Sequence, residues 1–169
     1  MIHGDNPFVE SPDQRDPVRR FRGRLAVPVT IVTSGSGRDR TGLTVSSLMV
    51  IEGEPGRLQI VLGPTSDLWD IVAKSERFVV HICHEKDRHL AEVFAGLRPN
   101  PGGVFAGTET RESDYGPVIE HLANRAYCRY VDREELGYSG VITGEVDEIE
   151  AETITDPLIY FRGGYHTLG

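Results

Sequence analysis

The sequence predicts a mainly β domain of short strands, a β-barrel or a β-sandwich rather than a βαβ sheet, with only a few short helices beside them. Three observations carry this reading. Apolar residues gather in short runs such as 58–62 and 78–83 rather than in long periodic stretches, as strand cores require. Turn-forming clusters, among them Ser34-Gly35-Ser36-Gly37 and Gly63-Pro64-Thr65-Ser66, separate those runs at short intervals. Helices are too few for a repeated βαβ pattern, and closure into a barrel removes the open edges that many short strands would leave.

Taken in order, residues 1–20 read as a lead-in and 21–169 as the folded domain. Residues 1–17 carry three prolines and several acids without apolar periodicity, which predicts extended or poorly ordered chain. Asp16 as N-cap with Pro17 in the first helical position predicts a short helix to residue 24, ending before Pro28. Residues 29–33 are rich in β-branched side chains, 34–39 form a turn, and 41–51 resume strand character, so a hairpin is expected. A third strand over 57–62 stops at Gly63-Pro64, and a helix follows over 68–74. Residues 77–83 make a fourth strand, and Leu90, Val93 and Phe94 at helical spacing predict a second helix over 88–95. Residues 97–107 look irregular. Strands over 126–131 and 140–151 follow, with a last short one over 158–162 before Gly163-Gly164.

A chain of 169 residues suits one core, since single domains usually hold roughly 100 to 200 residues. Its formal net charge of −8 opposes attraction to phosphate backbones, so no nucleic acid is expected as partner. One local exception is residues 15–24, with five arginines in ten positions, which read as a solvated first helix or a lid before a nucleic-acid arm. No apolar run approaches the roughly 18 to 20 residues needed to span a bilayer, and residues 1–10 lack a basic start followed by an apolar stretch. The expectation is a cytoplasmic protein with no membrane partner. Cys83 and Cys128 lie far apart without CxxC spacing and read as free buried thiols.

Two segments offer polar groups to a ligand. Thr41-Gly42-Leu43-Thr44-Val45-Ser46-Ser47-Leu48 places hydroxyls in a strand, with Gly42 allowing close approach to the backbone, against the plainer reading of a half-exposed strand with a wet face. Gly63-Pro64-Thr65-Ser66-Asp67-Leu68 opens a helix whose free N–H groups and hydroxyls suit a phosphate, against an ordinary capping role. Asp67 beside a phosphate would be repulsive, so it has to cap the helix and point away, or the phosphate sits elsewhere. His81, Cys83, His84 and His89 lack the spacing of a metal site; strand packing or a polar contact to a ligand suits His81 better. GxSxG, HExxH, P-loop and GxGxxG motifs are absent, which leaves chemistry carried by a cofactor open.

The order of these segments resembles the flavin reductase-like family. Gly42-Leu43-Thr44-Val45-Ser46-Ser47-Leu48 is similar to that family's Gly-x-Thr-x-Ser-Ser opening. Glu54-Pro55, Phe78-Val79-Val80-His81-Ile82, Leu90-Ala91-Glu92-Val93-Phe94-Ala95-Gly96, Gly144-Glu145-Val146 and the close Asp156-Pro157-Leu158-Ile159-Tyr160-Phe161-Arg162-Gly163-Gly164-Tyr165 continue the match. The resemblance implies a Greek-key split β-barrel, a homodimer, and FMN (alternatively FAD) with its ring against Thr44, Val45, Ser46 and Ser47. It also implies a phosphate near Thr65 and Ser66, with His81 as a further cofactor contact. NAD(P)H is the implied electron donor, and a partner oxygenase the implied consumer of reduced flavin. The only catalytic side chain suggested is His166, which otherwise reads as a solvated C-terminal histidine. The alternatives are a non-catalytic flavin-binding protein and a split-barrel oxidoreductase with another donor or a deazaflavin. Where NAD(P)H-using members carry Gly-Asp-His, this chain has Gly137-Tyr138-Ser139-Gly140.

Overall fold

The computed structural model describes residues 16–169; most of the predicted lead-in therefore lies outside the described residues. Asp16 caps the first helix as expected, its carboxylate accepting the Val18 N–H at 3.0 Å. This helix, α1 (Pro17–Arg22), buries none of its residues and ends two residues sooner than the sequence suggests, at Gly23. After it come β1 (Val27–Pro28), β2 (Thr30–Ser34), β3 (Thr41–Val45), β4 (Leu48–Ile51) and β5 (Arg57–Leu62). Helix α2 (Asp67–Ser75), β6 (Arg77–Ile82) and helix α3 (Arg88–Phe94) follow, then the short pair β7 (Thr110–Arg111) and β8 (Val118–Ile119). The chain closes with the long hairpin β9 (Arg125–Leu136) and β10 (Ser139–Glu150), then β11 (Ile159–Phe161) and β12 (Gly164–His166).

Seven strands form one antiparallel sheet in the order β3-β2-β6-β9-β10-β5-β4. The predicted single strand over 41–51 is in fact two, broken at Ser46-Ser47, and its halves lie on opposite edges of the sheet. A two-residue joint can connect the two outer strands only if the sheet curls until its edges meet. The Val61 N–H donates to the Ser47 carbonyl at 2.9 Å, which carries the β4–β5 pairing into the joint. The result is a mainly β half-barrel, one of the two forms the sequence predicts.

The lumen holds Val32, Leu58, Ile60, Phe78, Val80, Cys128 and Ile142, closed below by Leu68, Trp69 and Val72 of α2. Side chains of β2 alternate, so Ile31 points instead to a second cluster with Val29, Phe94, Phe105, Leu122 and Leu158. Strand β2 is thus buried on both faces, which fixes its register from two sides. Helix α3 brings Phe94 onto Gly42, where a Cβ would lie 2.6 Å from the ring. The close approach that Gly42 permits is made by this core ring and not by a ligand. Among the described residues, no helix is long and apolar enough to cross a membrane. Cys83 and Cys128 are buried and unlinked, and burial pushes both thiols to higher pKa, that of Cys128 to about 12.

Beyond the barrel, β11 pairs with both β1 and β12 in a small separate sheet. The predicted strand over 158–162 is therefore one arm of a hairpin, whose turn, Arg162-Gly163, has φ of +50° and +77°. Positive φ at both central residues matches the twist of a two-residue hairpin.

Candidate functional site

Where the sheet edges meet, a cleft of about 650 Å³ opens. One wall is the free edge of β3 and the joint, Leu43, Thr44, Val45, Ser46 and Ser47; Val61, Leu62 and Gly63 add the end of β5. An unpaired strand edge leaves backbone N–H and C=O groups without partners, so this wall offers donors and acceptors besides its hydroxyls. Ala95 and Leu97 come from the end of α3, and the other wall is α1 with the β11–β12 hairpin.

Each predicted site residue now has a place. Thr44, Val45, Ser46 and Ser47 all line the cleft. The Thr44 hydroxyl donates to the Ala91 carbonyl at 2.6 Å, tying β3 to α3. Ser46 and Ser47 are half-buried, and neither hydroxyl is hydrogen-bonded among the described residues, so both can turn to a ligand. Thr65 and Ser66 stand in the corner beyond Gly63 and do not line the cleft. Ser66 is the N-cap of α2, its hydroxyl accepting the Trp69 N–H at 3.4 Å; the cap is Ser66, and Asp67 is the first helical residue.

His81 is fully buried in the sheet and away from the cleft. The Ile119 N–H donates to its Nε2 at 3.1 Å, which leaves Nδ1 to donate to the Ile31 carbonyl at 2.9 Å. With both nitrogens engaged by backbone, the ring has no group left for a ligand, which corrects its expected place among the cofactor contacts. Burial lowers its pKa to about 4, so it is neutral at pH 7. His84 pairs with Asp156 at 2.8 Å, and His89 is exposed; among the described residues no three potential ligands converge on a metal position. His166 is exposed and bonded to the Phe161 carbonyl at 3.1 Å. It is the preceding Tyr165 that faces the cleft, in a T-shaped pair with Tyr160 at 5.4 Å.

The sequence reading missed three contributors. Tyr160 and Tyr165 were part of a motif but not of the candidate site; their signal was the alternation Tyr160-Phe161 and Gly164-Tyr165 around a turn. The third is a set of arginines, Arg19, Arg22 and Arg162, all lining the cleft. Among the described residues no carboxylate lines it. In a chain of charge −8, that concentration of guanidinium favours an anionic ligand.

An apolar strand wall, free hydroxyls, two tyrosines and a cationic rim suit an amphipathic ligand with a flat ring and a phosphate. A family model, the flavin reductase like domain, matches residues 22–169. The chain belongs to this family. It is 30% identical to the NADH-dependent FMN reductase AsuE2 of Streptomyces nodosus subsp. asukaensis, over 91% of this chain and 85% of the relative. It is 28% identical to the reductase component of 4-nitrophenol 4-monooxygenase/4-nitrocatechol 2-monooxygenase of Rhodococcus opacus, over 93% and 83%. Among solved structures, a nitrilotriacetate monooxygenase component B homologue from Mycobacterium thermoresistibile superposes with a TM-score of 0.80 at 29% identity, covering 90% of this chain and 85% of that one. The flavin reductase family match spans the barrel and the β11–β12 hairpin, whereas α1 lies outside it except for Arg22.

Proposed function

We propose that this protein is a flavin reductase that takes hydride from NADH, or from NADPH, to FMN and passes reduced flavin to a partner oxygenase. The observation that carries the reading is the cleft at the split of the barrel, lined by Ser46 and Ser47, whose hydroxyls have no partner among the described residues, and by Tyr160 and Tyr165, in a chain of this family. Bound flavin supplies the electron-accepting ring, so no side-chain nucleophile or metal is required of the protein.

The residues of the chain bind, orient and shield. Ser46, Ser47 and the open edge of β3 give directional hydrogen bonds to a polar ring edge or a ribityl chain. Val45, Val61 and Leu62 exclude water on one side, and Tyr160 and Tyr165 offer stacking area on the other. Holding donor and acceptor at fixed orientation is the protein's contribution to rate. The nicotinamide donor and the partner oxygenase are supported by the names of the relatives, one an NADH-dependent reductase and one a monooxygenase component.

The protein works as a homodimer in this reading. Strand β4, the second free edge of the sheet, exposes Met49, Val50 and Ile51, with Val61 beside them. A second copy would cover this apolar edge, which is otherwise a site of nonspecific pairing. Buried free thiols accord with a cytoplasmic setting.

The deciding experiment is the absorption spectrum of purified protein with FMN, followed by anaerobic NADH and, separately, NADPH. Bleaching of the flavin band at a rate that needs the protein is expected. Flavin binding without donor-dependent bleaching would favour a non-catalytic flavin binder, and no flavin binding would overturn the reading.

A further inference from the structure

We infer that Arg19, Arg22 and Arg162 form a clamp for the phosphoryl-bearing arm of the ligand, so that charge recognition sits on α1 and the β11–β12 turn. This rests on the proposed flavin reductase reading and adds to it the residues that distinguish phosphorylated from unphosphorylated ligands.

Position is the first argument. Arg19 and Arg22 stand three residues apart on α1 and so share one face; both line the cleft, whereas Arg20, on another face, does not. Arg162 reaches the same cleft from the hairpin turn. Its backbone N–H donates to the Gly23 carbonyl at 3.2 Å, joining the turn to the end of α1, so the three guanidinium groups are carried by one connected unit.

Charge is the second. Arg57, Arg88, Arg98, Arg125, Arg129 and Arg133 each pair with a carboxylate. Among the described residues Arg19, Arg22 and Arg162 pair with none, and no carboxylate shares their cleft. Three arginines on one cleft, without a carboxylate partner among the described residues of an acidic chain, match a dianionic phosphate or diphosphate, which they can hold through several charge-assisted bonds.

Backbone strain is the third. Arg162 has φ +50°, a conformation that glycine or asparagine adopts readily and an arginine only at a cost. Gly163 beside it shows what such a turn ordinarily uses. Arg162 takes this conformation in a turn that also forms a cleft wall, with its guanidinium 5.8 Å from the Phe161 ring centroid, and a strained position at a cleft is where a functional side chain is sought.

Both FMN and a nicotinamide dinucleotide carry phosphoryl groups, and the test separates them. Arg162→Gly is the principal variant because glycine relieves the turn and preserves the fold. The double variant Arg19→Gln with Arg22→Gln removes the α1 contribution, and Arg20→Gln is the control. Dissociation constants are measured for FMN, riboflavin and ADP-ribose by fluorescence and calorimetry, at low and high salt. A loss of tenfold or more for FMN, with riboflavin within twofold and Arg20→Gln unchanged, assigns the clamp to the flavin phosphate. The same loss for ADP-ribose, with both flavins unchanged, assigns it to the diphosphate of the donor. Salt should weaken only the affected ligand. All three ligands within twofold in every variant would overturn the clamp. Should wild-type protein bind neither flavin, the functional reading fails instead; inorganic pyrophosphate then decides the clamp, which stands if the variants lose pyrophosphate affinity and falls if wild type shows none.

Discussion

The imidazole of His81 bridges two backbone segments that never meet in the sheet: Nε2 accepts from Ile119 at 3.1 Å while Nδ1 donates to Ile31 at 2.9 Å. A protonated ring would carry a hydrogen on Nε2 facing the Ile119 N–H, so the bridge works only when the ring is neutral. The folded pKa of about 4 lies below the unfolded value of 6.5. Between those values the unfolded chain binds more protons, so stability is full above pH 6.5 and declines as pH falls towards 4. A lowering of this size is worth about 3 kcal/mol. Urea midpoints across this window should fall steeply for wild type and more gently for His81→Leu, which will be less stable at pH 7. Parallel slopes would refute the neutral bridge.

Gly42→Ala should destabilise the fold by about 1 to 3 kcal/mol, since its Cβ would press on the Phe94 ring in a packed cluster. Adding Phe94→Leu should recover part of the loss relative to the sum of the two single changes. Strict additivity in denaturant melts would show that the glycine is needed for another reason.

Ser46→Ala and Ser47→Ala should leave stability within about 0.5 kcal/mol, because neither hydroxyl is bonded within the described fold. Each should weaken FMN and riboflavin alike, by about 1 kcal/mol or roughly fivefold, if these hydroxyls meet the ring or ribityl chain. Fluorescence titration of both flavins checks it; a loss confined to FMN would place them at the phosphate.

Ser66→Ala removes the cap of α2 and should cost about 1 kcal/mol in stability. Because Ser66 does not line the cleft, the ratio of FMN to riboflavin affinity should not move if the phosphate lies at α1 and the β11–β12 turn. A selective loss for FMN would return the phosphate to the β5–α2 corner.

Local chemistry made much of the fold legible. Asp16-Pro17 announced α1, Ser66 announced α2, and Leu90, Val93 and Phe94 announced α3, because caps and periodicity are written within a few residues. The break at Ser46-Ser47 was not legible: residues 41–51 are uniformly suited to a strand, and the joint exists because β2 and β5 claim the two halves as partners. The same nonlocality hid the site. Thr44, Val45, Ser46 and Ser47 could be found in one motif, whereas Arg19 and Arg162 are brought together by β1–β11 pairing that no local pattern encodes. His81 misled because a core histidine and a ligand-facing one look alike until their hydrogen-bond partners are known.

The joint at Ser46-Ser47 also bears on kinetics. Hairpins β2–β3 and β4–β5 can each form from near neighbours and the joint holds β3 beside β4, but the half-barrel is complete only when β6, β9 and β10 bridge β2 to β5. The second cleft wall further needs β1 to pair with β11 from the far end of the chain, so cleft assembly is expected late, after the barrier. A ligand that binds there stabilises the native state without stabilising the transition state, so it should slow unfolding and leave the refolding rate unchanged. Flavin would act on this barrel as a latch that closes last and opens first.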